Sequence, residues 1–320
     1  MIDKNSTKAE VMEAVKQDGY ALQYASDQLK GDRDVVLEAV QRYGLALKYA
    51  SDELRNDKEM VLEAVLWDGY ALEYASEELR NDREVVLEAV KEWGDALQYA
   101  SEELRNDRDV VLKAVKTFLT GKYALAYASD ELRNDKEIVL EAVRQNDWAL
   151  RYASEALHSD RNFILEVVKQ DGNALSHCVR AFRNDKDVAL EAIKQDEHAL
   201  CYVSDELKSD RDVVLAAVEK NGYALAYASE ELNGDKGVGM AAGDKEVVLA
   251  AVQQNGRALK YASEELRNDR DVVMAAVKQD GCALAFASED LRSNKEVVLE
   301  AVKQYASEEL QSELKKGGKK

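Results

Sequence analysis

One stretch of the chain, residues 82–106, reads DREVVLEAVKEWGDALQYASEELRN. Asp82 is the kind of residue that caps the N-terminus of a helix, and the mostly apolar segment after it has helical spacing. Gly94 interrupts this segment, and a second run of apolar residues with helical spacing follows. The stretch therefore predicts two short helices that are separated at Gly94.

The same pattern recurs along the chain with a period of 25 residues. We count the first residue of a unit as position 1, and the twelve units begin at Thr7, Asp32, Asp57, Asp82, Asp107, Asp135, Asp160, Asp185, Asp210, Asp244, Asp269 and Asn294. The first helix is apolar at positions 4, 5, 6, 8 and 9, an arc too wide for one neighbour to bury. Because copies on both sides would cover it, the sequence predicts an all-α protein, an α-solenoid in which short two-helix repeats form a superhelical array.

Three irregularities subdivide what we predict to be a single repeat domain over residues 1–320. Three extra residues enter between Val115 and Tyr123, residues 235–242 copy only the start of a unit, and the last unit omits the glycine turn. The predicted parts are a capping unit 7–31, regular repeats 32–234 with the insertion near 117–121, a truncated repeat or hinge 235–243, regular repeats 244–293, a compressed capping unit 294–314 and a basic tail 315–320.

The residues at the helix ends lead to further predictions. Glycine at position 13 is expected to end the first helix in the left-handed conformation that favours glycine. Glu197 replaces one of these glycines, and we expect the turn there to be strained or built differently. Serine at position 20 either is buried on the second helix or caps a separate last turn, and we favour a break there. Position 4 is Glu10 in the first unit, where no preceding repeat would cover it.

Charge and composition narrow the classes of partner. The chain has 63 acidic and 44 basic residues, which gives a net charge of −19. This charge argues against nucleic acid or an anionic membrane surface as the main partner, because both are bound through Lys and Arg. The sequence has no apolar run of membrane-spanning length, no secretory signal in residues 1–10, and three cysteines without paired spacing. We therefore expect a soluble, cytoplasmic protein.

The residues of this unit resemble those of a known family. The runs Asp82–Val90 and Ala96–Asn106, with Gly94 between them, are similar to the family of domain of unknown function 4116, whose domain looks like two such units in tandem. The resemblance covers nearly the whole chain, from about residue 7 to residue 310. It implies a helical-repeat module without an established activity and without functional residues to carry over.

No arrangement of residues in the sequence predicts catalysis, so we expect no enzyme, no catalytic residues and no cofactor. Residues 237–242, GVGMAA, fit a dinucleotide-binding pattern, but no strand precedes them and they align with the start of a repeat. Histidine and cysteine are concentrated in the central repeats, at His158, His177, Cys178, His198 and Cys201. Because the repeat places them on different faces, we predict no metal site, and an enzyme or metal-binding protein remains an alternative.

Aromatic residues at the turn between the two helices are the main candidates for a binding surface. We call this group the aromatic turn edge: Tyr20, Tyr43, Trp67, Tyr70, Trp93, Phe118, Tyr123 and Trp148. Such a cluster is typical of a recognition surface, although turn aromatics also cover helix ends. A second candidate patch, in the divergent repeat from Asp160 and the repeat after it, consists of His177, Arg180, Arg183 and His198.

These observations favour a non-enzymatic, monomeric scaffold that binds a protein or peptide. If the acidic surface attracts this partner, the partner is basic. A tyrosine or phenylalanine at position 18 of most units is expected to close the seam between repeats rather than to bind a partner. A purely structural or self-associating repeat protein is the alternative.

Overall fold

The structure, a computed structural model, describes residues 2–117, 121–229 and 244–305. Within these ranges the chain contains short helices in tandem and no strand, which confirms the prediction of an all-α helical-repeat solenoid. The chain forms two compact units, Met1–Asp160 and Arg161–Lys320. From here on, "first unit" and "second unit" mean these two parts of the chain, and a single 25-residue copy is called a repeat. The segment 235–243, the end of the last repeat and the tail 315–320 lie outside the described residues.

Each regular repeat that the structure describes in full contains three helical elements. The long α-helices are Lys8–Gln17, Arg33–Arg42, Lys58–Trp67, Arg83–Glu92, Arg108–Val115, Lys136–Gln145, Arg161–Gln170, Lys186–Gln195, Arg211–Lys220, Lys245–Gln254 and Arg270–Gln279. The 3₁₀ helices that follow them are Gly19–Tyr24, Gly44–Tyr49, Gly69–Tyr74, Gly94–Tyr99, Asp147–Tyr152, Gly172–His177, Glu197–Cys201, Gly222–Tyr227, Gly256–Tyr261 and Gly281–Phe286. The short α-helices that complete the repeats are Asp27–Lys30, Asp52–Arg55, Glu77–Arg80, Glu102–Arg105, Glu155–His158, Arg180–Arg183, Asp205–Lys208, Glu264–Arg267 and Glu289–Arg292.

Two parts of the chain depart from this order. The repeat with the insertion has a short α-helix Ala124–Tyr127 and then a 3₁₀ helix Leu132–Asn134. Residues 295–305 are helical at the end of the described chain.

The second predicted helix is divided in two at the serine of position 20. In the third repeat the side chain of Ser76 accepts a hydrogen bond from the backbone N–H of Leu79 at 3.2 Å and so caps the short helix. The alternative in which this serine is buried within a continuous helix is wrong. A repeat therefore has a long helix, a 3₁₀ helix and a short helix instead of two helices.

The glycine at position 13 has a different role from the one expected. No glycine of the described chain has the positive φ of a left-handed helix end. Instead, a Cβ on Gly69 would lie 2.4 Å from the carbonyl oxygen of Ala89 in the next long helix. Because real Cβ atoms do not approach backbone oxygen so closely, this 3₁₀ helix can pack at such a short distance on the next repeat only with glycine at Gly69. At Glu197, which lacks this glycine, the 3₁₀ helix is one residue shorter, whereas at Asp147, which lacks it too, the 3₁₀ helix keeps six residues.

The core of each unit is formed by the long helices. Each inner long helix of a unit packs against its neighbours on both sides, as Arg83–Glu92 does against Lys58–Trp67 and Arg108–Val115. Val85 and Ala89 of this helix have no exposed surface. Two-sided packing explains why the apolar arc of the first helix is too wide for one neighbour.

In the first repeat, Glu10 at position 4 is exposed, as expected where no repeat covers it, and it also takes part in a helix cap. Its side chain accepts the N–H of Thr7 and completes a capping box.

An ion ladder links consecutive repeats along each unit. The Lys or Arg at position 2 pairs with the position-1 carboxylate of the next repeat, in the pairs Lys8 with Asp32, Arg33 with Asp57, Lys58 with Asp82, Arg83 with Asp107, Arg108 with Asp135, Lys136 with Asp160, Arg161 with Asp185, Lys186 with Asp210, Arg211 with Asp244 and Lys245 with Asp269. In most pairs the same cation also contacts the acid at position 3.

The aspartate of position 1 thus has two partners. In Asp82, Oδ1 accepts the N–H groups of Glu84 and Val85 and caps its own helix, while Oδ2 lies 2.8 Å from Nζ of Lys58. The hydrogen bond from Lys8 lowers the pKa of Asp32 below its usual range, and that from Arg161 does the same for Asp185. Sequence reasoning identified the cap and missed the ladder.

We expect Gly69→Ala to reduce the free energy of unfolding by about 1–3 kcal/mol, because the new Cβ forces the 3₁₀ helix away from Ala89. The matched control is Gly31→Ala, where the nearest atom lies 3.6 Å away and the effect should stay within about 0.5 kcal/mol. Urea denaturation followed by circular dichroism measures both changes. Equal effects of the two substitutions would show that close approach is not what requires glycine.

The ladder also predicts acid lability. Because the pKa of Asp185 is lower in the folded protein than the unfolded value of about 3.9, its contribution is present above that pH and is lost as the pH falls through the folded pKa. Asp185→Asn should keep the helix cap, as Asn294 does in the last repeat, and lose less stability on acidification than the wild type.

The measurement is urea denaturation at about pH 7 and about pH 3, which bracket the aspartate titration. Asp205→Asn, which removes an exposed carboxylate of a short helix, is the control with the same change in net charge. If both variants lose as much stability on acidification as the wild type, the ladder carboxylates do not cause the acid lability.

Candidate recognition surface

The aromatic turn edge lies where each long helix of the first unit passes into its 3₁₀ helix. The rings of Tyr20 and Tyr43 from consecutive repeats are 4.1 Å apart between centroids. The Cβ atom of Trp93 lies 2.8 Å from the point that a Cβ on Gly69 would occupy, so Trp93 packs over this glycine beside Tyr70. The side chain at position 12 of one repeat thus lies against positions 13 and 14 of the preceding repeat.

Three of these aromatic side chains are open to solvent. Trp67 is 54% exposed, Trp148 is 45% exposed and Tyr123 is 38% exposed. The remaining described members are half-buried: Tyr20, Tyr43, Tyr70 and Trp93. Phe118 lies outside the described residues. The contact area available to a partner is therefore concentrated at the two tryptophans and Tyr123.

Charged groups border both exposed tryptophans. The indole N–H of Trp67 donates to Oε1 of Glu63 at 3.2 Å. Cations lie over the ring of Trp148, with Nζ of Lys122 at 5.6 Å and the guanidinium of Arg151 at 5.2 Å from the ring centroid. These contacts hold the indoles in place at the surface, which reduces the entropy that binding would cost.

The aromatic residues at positions 14 and 18 form contacts between repeats. Sequence reasoning expected position 18 to close the seam and missed its pairing with position 14. Tyr20 meets Tyr49, Tyr70 meets Tyr99, and Tyr123 meets Tyr152 edge to face, with centroids 6.2–6.3 Å apart. Each pair joins position 14 of one repeat to position 18 of the next. A signal was present in the sequence, because aromatic residues occur at both positions. These pairs also stabilise the seam, so the turn aromatics do cover neighbouring structure.

Asp95 replaces the aromatic residue at position 14 in the repeat before the insertion. Its carboxylate is buried, and Oδ1 accepts the backbone N–H of Tyr123 at 2.8 Å. Burial raises the pKa of Asp95, although this hydrogen bond and the charge of Lys122 offset part of the effect. Asp95 thus fixes the chain on the C-terminal side of the insertion and positions Tyr123 on the edge.

The second candidate patch is distributed over two repeats of the second unit. His177 is half-buried at position 18, and Arg180 and Arg183 begin and end a short helix whose N-cap, Val179, offers no side-chain hydrogen bond. His198 is exposed at position 14 of the next repeat, and its ring lies 6.4 Å from that of Tyr227. The patch follows the repeat framework and its side chains belong to different elements.

The cysteine beside this patch has the properties of a core residue. Cys178 is buried, and burial raises the pKa of its thiol to about 12. A thiol with this pKa is protonated at neutral pH and is a poor nucleophile and metal ligand.

Within the described ranges, one group of side chains brings potential metal-ligand atoms within 4.8 Å of one another, namely Asp196, Glu197 and His198. Both carboxylate oxygens of Asp196 already accept hydrogen bonds, one from the backbone and ring N–H groups of His198 and the other from Asn173. Oε1 of Glu197 accepts from Asn221 at 3.1 Å. A metal ion would have to displace these donors, so this geometry suits a hydrogen-bonded turn better than a metal centre.

The repeat architecture and its surfaces define the chain as a tandem helical-repeat protein. The chain belongs to the family described as Domain of unknown function (DUF4116). The family model matches in tandem at residues 11–55, 32–80, 82–120, 107–158, 160–207, 185–233, 244–292 and 273–311. The resemblance seen in the repeat sequence is thereby confirmed. No curated protein and no solved structure gives a significant match.

The helices of the described chain are all too short or too polar to cross a membrane.

Asp95 provides a test of how the edge is built. Because its pKa is raised, ionisation disfavours the folded state as the pH rises through the folded pKa. Asp95→Asn keeps an acceptor for Tyr123 without the charge, so its stability at neutral pH should equal or exceed that of the wild type. Asp95→Ala should lower the free energy of unfolding by about 1 kcal/mol, because the N–H loses its partner. Urea denaturation compares them, and equal destabilisation by both would assign the effect to the lost charge.

Proposed function

We propose that this protein is a non-enzymatic scaffold that binds a protein or peptide through the aromatic turn edge. The observation that carries the proposal is the exposure of Trp67, Trp148 and Tyr123 along one edge of the first unit. Large aromatic side chains that are exposed yet held in place are typical of the residues that dominate binding energy at protein interfaces. All three tryptophans of the chain belong to this edge.

Charge supports a basic partner. The carboxylates at positions 1 and 3 are paired within the ion ladder, so they contribute little to long-range attraction. Among the acids that begin the short helices, Glu77 and Glu102 have side chains that are 95% and 94% exposed, and they contact Arg80 and Arg105 only at 4.0 and 3.9 Å. Rows of such carboxylates would attract a basic segment and raise its association rate at low salt.

The proposal predicts loss of a partner when the exposed indoles are removed. In pull-downs from the native source, Trp67→Ala combined with Trp148→Ala should weaken capture of the specific partner at least about tenfold, as expected for two interface hot spots. Tyr24→Ala removes an aromatic side chain of equal exposure outside the edge, 54%, and should leave capture unchanged. Quantitative mass spectrometry of the three eluates measures the difference.

Tryptophan emission gives an independent readout, because every tryptophan reports on the edge. Addition of the purified partner should shift the emission and protect it from acrylamide quenching. If the double variant captures the same proteins as the wild type, the edge is not the binding surface. Concentration-dependent assembly of the chain alone in sedimentation experiments would favour a self-associating structural protein instead.

A further inference from the structure

A small cavity lies among three consecutive 3₁₀ helices of the second unit, Glu197–Cys201, Gly222–Tyr227 and Gly256–Tyr261. Its volume is about 80 Å³, which is room for about five groups the size of a water molecule. The side chains that surround it include His198, Tyr223, Tyr227, Tyr261, Glu197 and Asn221. It is separate from the aromatic turn edge, which belongs to the first unit.

Four of the eight residues that line the cavity are aromatic, and the others are Glu197, Asn221, Ala224 and Ala226. His198 and Tyr227 face each other edge to face at 6.4 Å, and Tyr223 and Tyr261 do so at 6.2 Å. These are the contacts between positions 14 and 18 of successive repeats. Within the second unit, His198 and Tyr223 are the only rings at position 14 of two consecutive repeats.

The wall also carries a negative charge. Hydrogen bonding from Asn221 lowers the pKa of Glu197 below its usual range, so this carboxylate is ionised at neutral pH. The ammonium of Lys220 lies 3.8 Å from Oε2 of Glu197, beyond hydrogen-bond distance, and donates instead to backbone carbonyls of the preceding long helix at 2.9–3.3 Å. The charge of Glu197 is therefore only partly compensated.

The tyrosines of the cavity already bind a cation within the chain. Nζ of Lys260 lies 4.5 Å from the ring centroid of Tyr261 and 5.6 Å from that of Tyr223. The π-electrons of an aromatic face attract positive charge, and an anion would be repelled by the same faces and by Glu197. A neutral ligand without a hydrogen-bond donor would gain little from the carboxylate. The surroundings therefore select a cation, and one with apolar substituents that contact the rings.

We propose that this cavity binds a trimethylammonium group, carried by a small molecule or by a methylated lysine side chain. The methyl groups would lie against Tyr223, Tyr227 and Tyr261, and the carboxylate of Glu197 would balance the charge. An unmethylated ammonium fits less well, because it must keep its hydrogen bonds to water or exchange them for acceptors. The proposal does not depend on partner binding at the aromatic turn edge.

Isothermal titration calorimetry of the full chain tests the proposal with two small probes. Choline should bind, and its uncharged tert-butyl analogue, in which carbon replaces nitrogen, should bind at least about tenfold more weakly. Equal affinity of the two probes would show that the cavity is merely apolar, and absence of choline binding would also overturn the proposal. Peptides with trimethyllysine or unmodified lysine then identify the source of the group, because a methylated peptide that binds more tightly than choline indicates a protein ligand.

Substitutions test whether choline binds in this cavity. Tyr261→Ala should weaken choline binding about tenfold, whereas Tyr261→Phe, which keeps the ring, should retain it. Lys260→Ala should strengthen binding, because it removes the cation that competes for the same rings. Tyr49→Ala deletes the aromatic residue from the same repeat position in the first unit and should have no effect. Unchanged binding in Tyr261→Ala, with its fold verified by circular dichroism, would place the ligand elsewhere.

Discussion

The close approach between a 3₁₀ helix and the next long helix is the constraint on which the repeat depends. At Gly69 the space that a Cβ would need is taken by the carbonyl oxygen of Ala89, so the backbones touch without an intervening side chain. This approach lets each long helix bury a wide apolar arc against the elements before and after it. It also sets the spacing at which rings of successive repeats meet, as Tyr70 meets Tyr99. Rings that meet in this way contribute to both surfaces that we assign to binding.

The charges of the chain follow the same repeat geometry. Asp82 caps its own helix with one carboxylate oxygen and binds Lys58 of the preceding repeat with the other. Ser or Asn could cap the helix but would lack the negative charge that pairs with Lys58. Much of the acidity that the composition suggests is therefore neutralised between repeats. Among the acids that begin the short helices, Glu77 is almost fully exposed and contacts Arg80 only at 4.0 Å. Attraction of a basic partner depends on this second group.

Local features of the fold could be predicted from the sequence because they are encoded within a few residues. The caps at Asp82 and Ser76 and the 25-residue period are of this kind. The aromatic turn edge was also predictable as a set of residues, and Trp67 is more exposed than Trp93 because it lies at position 11, outside the apolar arc, whereas Trp93 lies at position 12. The cavity beside Glu197 could not be predicted, because its walls come from three repeats and its volume depends on how the rings pack.

The sequence by itself determined the repeat, its helical character and the family, because each of these follows from periodic local patterns. Tertiary structure alone decided that the glycine of position 13 serves close packing instead of a left-handed helix end. It also decided that Lys58 pairs with Asp82, and that His198 and three tyrosines enclose a cavity. The physical reason is the same in each case. The interacting groups lie about one repeat apart in the chain, and only the packing distance between repeats determines whether they meet.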